Sequence, residues 1–303
     1  MVHIVIHEVG PRDGLQMEQQ VVPIGTREDW IRRTMESGVD IVQVGSFVHP
    51  VKVPQMADTD ELIRRLVKDK TSPVILAGLA LNERGLERGL ECGVEMFCMG
   101  ASASETHSLR NTGMTTMDAT RRIIIAAQQA VAAGKKVQVS VQSAFGCGFE
   151  GPIPEQRVLE MAGAYLEAGL RNISLADTAG HAHPAQVERL FGALFDLDPD
   201  IDCTCHFHNT YGLGMANIMA ALRAGVSSFE TSFAGLGGCP FTKVAAGNVA
   251  TEDFVNALQL QGLRRDVDLD RLISVAGDVA EFFGREMPGC VYKTGPLARK
   301  EAA

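Results

Sequence analysis

Eight short apolar or β-branched runs, each followed by a segment of helical periodicity except where the last connection is long, predict an α/β chain with a parallel sheet. Eight such units within about 250 residues match the size of a closed (β/α)8, or TIM, barrel. An open, doubly wound sheet is the alternative that alternation alone leaves standing. The barrel makes a checkable statement, because its chemistry sits at the carboxyl ends of the strands, all at one mouth.

The first run, residues 2–6, has the composition of a strand buried on both faces. Gly10-Pro11 ends it, so Arg12 and Asp13 sit just past its carboxyl end. Residues 26–37 have helical spacing, with Thr26 as N-cap ahead of Glu28 and Asp29 and Gly38 as stop. Further strands are predicted at 41–45, 74–77, 96–99, 137–141, 173–176, 202–206 and 229–233. Helices are predicted at 60–67, 83–91, 116–132, 154–168, 184–195 and 213–223, several of them ended by a glycine such as Gly93, Gly134, Gly169 or Gly225. His49, Glu105, His107 and Asn111 fall in loops of the expected active face. The barrel ends near residue 262, and a helical extension at 269–285 and a tail rich in Gly, Pro and Lys follow. With no linker, low-complexity tract or short-period repeat, one domain spanning 1–303 is expected.

The 303 residues are 46% hydrophobic and 21% charged, which suits a chain with a sizeable buried core. A net charge of −9 without any basic block argues against nucleic acid or a membrane surface as partner. No apolar run is long enough to cross a bilayer and the start lacks the layout of a secretory signal, so a cytoplasmic protein is expected. The seven cysteines are scattered and read as reduced. Cys239 stands apart: Gly237, Gly238 and Pro240 flank it, a composition suited to a loop that closes over a site.

The chemistry concentrates in Cys205-His206-Phe207-His208-Asn209. Side chains two apart on a strand project from one face, so His206 and His208 are spaced to grip one cation. A pair of histidines without a ligand is the plain alternative. His181 and His183 repeat the spacing, but Gly180 and Pro184 place them in a turn at a helix entry, and they are not read as ligands.

Several stretches together resemble the 3-hydroxy-3-methylglutaryl-CoA lyases, within the metal-dependent barrel superfamily that includes isopropylmalate synthases. The likeness runs from about Glu8 to about Leu260. It rests on Glu8-Val9-Gly10-Pro11-Arg12-Asp13-Gly14-Leu15-Gln16, Ile173-Ser174-Leu175-Ala176-Asp177-Thr178, the His206/His208 strand, Gly235-Leu236-Gly237-Gly238-Cys239-Pro240, and Gly247-Asn248-Val249-Ala250-Thr251-Glu252-Asp253. The resemblance implies a divalent ion held by Asp13, His206, His208 and Asn248. A mixed oxygen and nitrogen shell of that kind suits Mg²⁺ or Mn²⁺. Taken alone, Asn248 could make a loop turn, and Asp13 could pair with Arg12.

It also implies cleavage of an acyl-CoA thioester by a retro-Claisen reaction to acetyl-CoA and a keto acid, a place in leucine catabolism, and a homodimer. Arg12 would stabilise the thioester enolate, against the alternative of an ion pair with Asp13 or Glu8. Cys239 would protonate that enolate, against the alternative of a small buried residue in a tight turn. His206 and Asp177 would move protons, although a metal-bound imidazole is an awkward base. Arg12, Gln16, Gln43 and Asn111 are the expected substrate contacts.

The chain departs from the lyase pattern at Gln43, where a glutamate is usual, and at Gln19, Asn209 and Gly148. An amide supplies neither the charge nor the basicity of a carboxylate. Citramalyl-CoA or a glutaryl-CoA with a larger C3 branch therefore stays open as substrate. So do a synthase condensing acetyl-CoA with a 2-oxoacid, and a barrel that only binds metal or acyl-CoA.

Overall fold

A computed structural model describes residues 3–238 and 247–297. Eight parallel strands close on themselves in sequence order: β1 (Val5–Glu8), β2 (Ile41–Ser46), β3 (Ile75–Leu79), β4 (Met96–Ser102), β5 (Lys136–Gln142), β6 (Asn172–Asp177), β7 (Asp202–Phe207) and β8 (Ser228–Thr231). β8 pairs with β1 along its whole length, Val5 with Ser228 through Glu8 with Thr231, so the sheet has no free edge. The closed (β/α)8 barrel replaces the open-sheet alternative.

The helices pack outside as α1 (Ile24–Glu36), α2 (Thr59–Lys68), α3 (Glu83–Cys92), α4 (Glu105–Thr112), α5 (Thr116–Ala132), α6 (Glu155–Glu167), α7 (Pro184–Leu197) and α8 (Gly214–Arg223). After the last strand come α9 (Thr251–Leu260), α10 (Leu269–Phe283) and the short α11 (Val291–Thr294). Helix α10 seats against α1 and the barrel top through Trp30, whose ring meets Phe282 edge-on at 5.6 Å and Phe233 at 6.1 Å. Among the described residues, no helix is long and apolar enough to cross a membrane.

Four expectations are corrected. The first strand starts at Val5 and runs on to Glu8, a buried carboxylate that accepts N–H bonds from Gly10 (2.6 Å) and Phe233 (2.9 Å) and the Thr251 hydroxyl (2.7 Å). Those bonds let a carboxyl group end a buried strand. The last strand stops at Thr231, because Phe233–Gly235 curls into a 3-10 turn in which Ala234 takes a positive φ of 58°. Residues 105–112 are helical: Ser104 caps α4 through the His107 N–H (3.1 Å) and Gly113 ends it in the left-handed region. Helix α9 occupies the expected long final loop and buries Phe254, Val255 and Leu258.

The turn after β1 is a wide helical turn, Gly10–Gly14, that carries Arg12 and Asp13 over the barrel mouth. Gly10 is required there by closeness alone, since a Cβ would lie 2.7 Å from Glu8 Oε1 and 2.9 Å from the Phe233 ring. At the opposite end of the sequence the ends of β7 and β8 meet residues 247–250. His208 bridges to Asn248, Asn209 donates its N–H to Gly247 (2.8 Å), and Ser232 bridges to Ala250. First strand, seventh strand and the segment after the eighth are thus stitched together at one rim.

Candidate active site

Alternation along β7 directs Thr204, His206 and, just beyond the strand, His208 into the barrel while Cys205 and Phe207 join the outer core. The two imidazoles face each other, with His206 Nε2 2.9 Å from His208 Nε2. Asp13 Oδ2 lies 3.6 Å from His208 Nε2 and 3.9 Å from His206 Nε2. One ligand atom from each of these three residues falls within 4.8 Å of the others.

Asn248 closes the group. Its Nδ2 donates to Asp13 Oδ2 at 2.8 Å and to the Leu236 carbonyl at 3.1 Å, which leaves Oδ1 buried without a hydrogen-bond partner among the described residues. Gly237 permits that approach, having φ 124° and a position where a Cβ would stand 2.5 Å from Asn248 Nδ2. A buried acceptor with no donor costs about 1–3 kcal/mol unless something electropositive faces it. An octahedral ion with bonds of about 2.1 Å sets neighbouring ligand atoms about 3 Å apart, close to the spacing of the two imidazole nitrogens. The donor set fits a divalent cation: two imidazole nitrogens, a carboxylate and an amide oxygen.

Charge around the cluster is balanced locally. Burial pushes the Asp13 carboxyl up, but the Arg12 guanidinium, with Nη1 2.6 Å from Oδ1, and the two imidazoles more than offset it and hold the group well below the usual carboxylate range. Arg12 Nε also donates to Gln43 Oε1. Burial favours neutral His208 and lowers it; in His206 burial is outweighed by the bond to Glu230 and the charges of Asp13 and Glu230, and the net shift is upward.

Glu230, on β8, is the residue that sequence reading missed. Its Oε2 lies 2.8 Å from His206 Nδ1, its Oε1 accepts from the Gln138 amide, and His7 Nδ1 stands 3.6 Å from Oε1. Burial raises it, but the His206 bond and the nearby His206, His7 and Arg12 charges bring it down to about 2. Burial first, with the Arg12 and His206 charges, drives His7 down to about 4 against the opposing pull of Glu230 and Gln138. The residue offered no motif of its own, only a lone carboxylate within the strand expected at 229–233.

These groups line a cavity of about 310 Å³ at the barrel mouth, together with Gln16, Gln43, His107 and Asn111. The structure therefore brings Arg12, Asp13, Gln16, Gln43, Asn111, His206 and His208 to one space. Asp177 is a correction. It follows Ala176, which lines the cavity, and so faces the other way; its carboxylate accepts the N–H groups of His181 (2.8 Å) and Ala182 (3.1 Å) and shapes that loop. Burial pushes it up to about 7. Glu105 likewise turns to the Thr116 N–H (3.0 Å), and His49 to the Val51 N–H (3.3 Å). Cys239 lies outside the described residues. His181 and His183 border a separate groove with Tyr211 and Arg189.

The HMGL-like family model matches residues 3–279. A hydroxymethylglutaryl-CoA lyase of Bacillus subtilis is 35% identical over 285 residues, covering 94% of this chain and 95% of the relative. An (R)-citramalyl-CoA lyase of Chloroflexus aurantiacus is 35% identical over 302 residues, covering 97% of this chain and 95% of the relative. Among solved structures, an HMG-CoA lyase from Acinetobacter baumannii in complex with coenzyme A and 3-methylmalate is similar with a TM-score of 0.92 at 35% identity, covering 99% of this chain and 98% of that one.

Proposed function

The chain belongs to the HMGL-like family, and from that premise we propose that it is a divalent-metal-dependent carbon–carbon lyase that cleaves a 3-hydroxyacyl-CoA into acetyl-CoA and a keto acid. The observation that carries the reading is the meeting of Asp13, His206 and His208 beside Arg12 in one cavity, with Asn248 bonded to Asp13.

Asp13, His206, His208 and Asn248 would hold the ion, with Mg²⁺ or Mn²⁺ suited to that donor set. When bound, a divalent cation would supply Lewis acidity that lowers the pKa of the substrate hydroxyl, so that water could take its proton near neutral pH. Breaking the adjacent carbon–carbon bond leaves its electron pair on the thioester as an enolate and turns the alcohol carbon into a carbonyl. Arg12 spends one N–H on Asp13 and another on Gln43, and its remaining donors are offered to the enolate oxygen. Cys239 then gives its thiol proton to the enolate carbon, which completes acetyl-CoA. Direct removal of the hydroxyl proton by His206 or Asp177 is not supported by the geometry. His206 has Nδ1 engaged by Glu230, and Asp177 faces the 178–182 loop. The chain's part in that step is electrostatic.

Gln43 decides which acyl group is taken. It accepts from Arg12 without adding charge, so Arg12 has Asp13 as its direct ion-pair partner and keeps more of its field for substrate than a glutamate at 43 would leave it. A second substrate reading, a thioester with its carboxylate on the hydroxyl-bearing carbon, is favoured by the citramalyl-CoA lyase relative and by the neighbour that holds 3-methylmalate. Mass spectrometry of products from a panel of 3-hydroxyacyl-CoA thioesters, with and without EDTA, tests both. Acetoacetate marks the first, pyruvate the second, and no EDTA-sensitive keto product from any member sinks the lyase reading in favour of a binding barrel. We place the protein in the cytoplasm as a homodimer, a state that sedimentation would check.

A further inference from the structure

We propose that Glu230 is a positioning residue for the ion site, fixing the ring state of His206 through a buried chain of bonds that runs across the barrel floor; this rests on the metal-dependent reading above. An imidazole that donates from Nδ1 must present its lone pair at Nε2, and Nε2 is the atom that faces His208 and Asp13. Glu230 accepts at Nδ1 with 2.8 Å between the heavy atoms.

The acceptor is itself held in place. Gln138 on β5 donates its amide N–H to Glu230 Oε1 and accepts the Thr204 hydroxyl on its own oxygen at 3.4 Å, so its amide has one preferred orientation. Thr204 lies on β7 two residues before His206, and both point inward. The path from Thr204 through Gln138 and Glu230 to His206 thus leaves β7, crosses to β5, returns by β8 and ends on β7 again. Every member is buried, and His7 from β1 faces the same carboxylate oxygen at 3.6 Å.

Among the described residues no such brace reaches the second imidazole, for His208 Nδ1 is buried there without a hydrogen-bond partner. The two ligands are therefore unequal. His206 is backed by a full negative charge that makes its Nε2 the stronger donor, whereas His208 is fixed only by what lies in front of it. Glu230 reaches the site through His206, so its effect should appear in ion affinity before it appears in turnover.

The experiment uses the full chain and Mn²⁺ as probe. Glu230→Gln keeps the size and one acceptor oxygen while removing the charge, and is expected to weaken Mn²⁺ binding by roughly 10- to 100-fold in calorimetry. Turnover of the variant should rise with Mn²⁺ concentration over a range shifted upward by the same factor, and circular dichroism should show an intact fold. A second measurement needs no variant: ¹⁵N NMR of the wild-type protein should report His206 protonated at Nδ1, distinct from His208. Unchanged Mn²⁺ affinity in Glu230→Gln, or a His206 protonated at Nε2, overturns the assignment to Glu230 and leaves the lyase reading standing. No Mn²⁺ binding by the wild-type chain overturns both.

Discussion

The chain carries the His-x-His spacing twice, and the two pairs end in different chemistry. His206 and His208 lie on and just past a strand of the barrel, meet the Asp13 carboxylate from the first strand's turn, and point into the cavity. His181 and His183 follow a loop glycine. His183 accepts the Gln186 N–H at 3.4 Å as the cap of α7, and His181 packs beside the exposed Tyr211 ring at 5.7 Å. Spacing supplies a common face only on a strand, and a common face binds an ion only when a carboxylate is delivered opposite it.

The comparison breaks most sharply at the carboxylate. Asp13→Ala is expected to reduce kcat/KM by about a thousandfold or more, as the loss of several kcal/mol of charge stabilisation implies. It should also abolish stoichiometric Mn²⁺ binding in calorimetry, while His181→Ala leaves both unchanged. Equal losses from the two changes would erase the distinction.

Arg12 comes next. Arg12→Gln should lower kcat by about 10²–10³-fold at saturating metal, the cost of losing an oxyanion donor, with ion affinity altered far less than by Asp13→Ala. Steady-state kinetics at two metal concentrations separates the two effects.

A smaller effect sharpens how each region is anchored. The loop of His181 hangs on the buried Asp177, whereas the segments that present Asp13 and Asn248 hang on Glu8 and Glu252. Burial pushes Glu252 up to about 8 and Glu8 to about 7. A carboxyl with a raised pKa keeps its proton in the folded state after the unfolded chain has lost it, so stability should fall as pH rises from the ordinary carboxylate range through about 8. Thermal melts across pH 5–9 should show that decline, and Glu252→Gln should flatten it. A flat wild-type profile would show that these acids are not carried as protonated groups.

Smallest of all, His183→Ala removes only a helix cap and should lower Tm by no more than a few degrees, with lyase activity intact. Activity loss there would make the second pair part of the machinery.

The strands were legible because burial on both faces demands β-branched, apolar runs, and the glycines that end the helices marked most boundaries. Helix α4 escaped because seven polar residues and a single leucine carry no apolar stripe, and α9 because its start lies in a segment read as loop. Arg12, Asp13, His206, His208 and Asn248 were readable from motif and resemblance. Asp177 was assigned to the wrong face by one residue of strand parity, since Ala176 before it and Thr178 after it line the cavity. Glu230 was invisible for a different reason: a lone carboxylate has no spacing signature, and its partners His206, Gln138 and His7 come from three other strands.

The bond from Asn248 to Asp13 joins residues at opposite ends of the barrel sequence. A chain emerging from the ribosome can pair its histidines while its eighth strand is still missing, yet it owns no complete cage until the ring has shut. Under the proposed ion site, capture by all four ligands would be a late event in maturation, and the uptake of Mn²⁺ by refolding protein would be a clock for circularisation of the sheet.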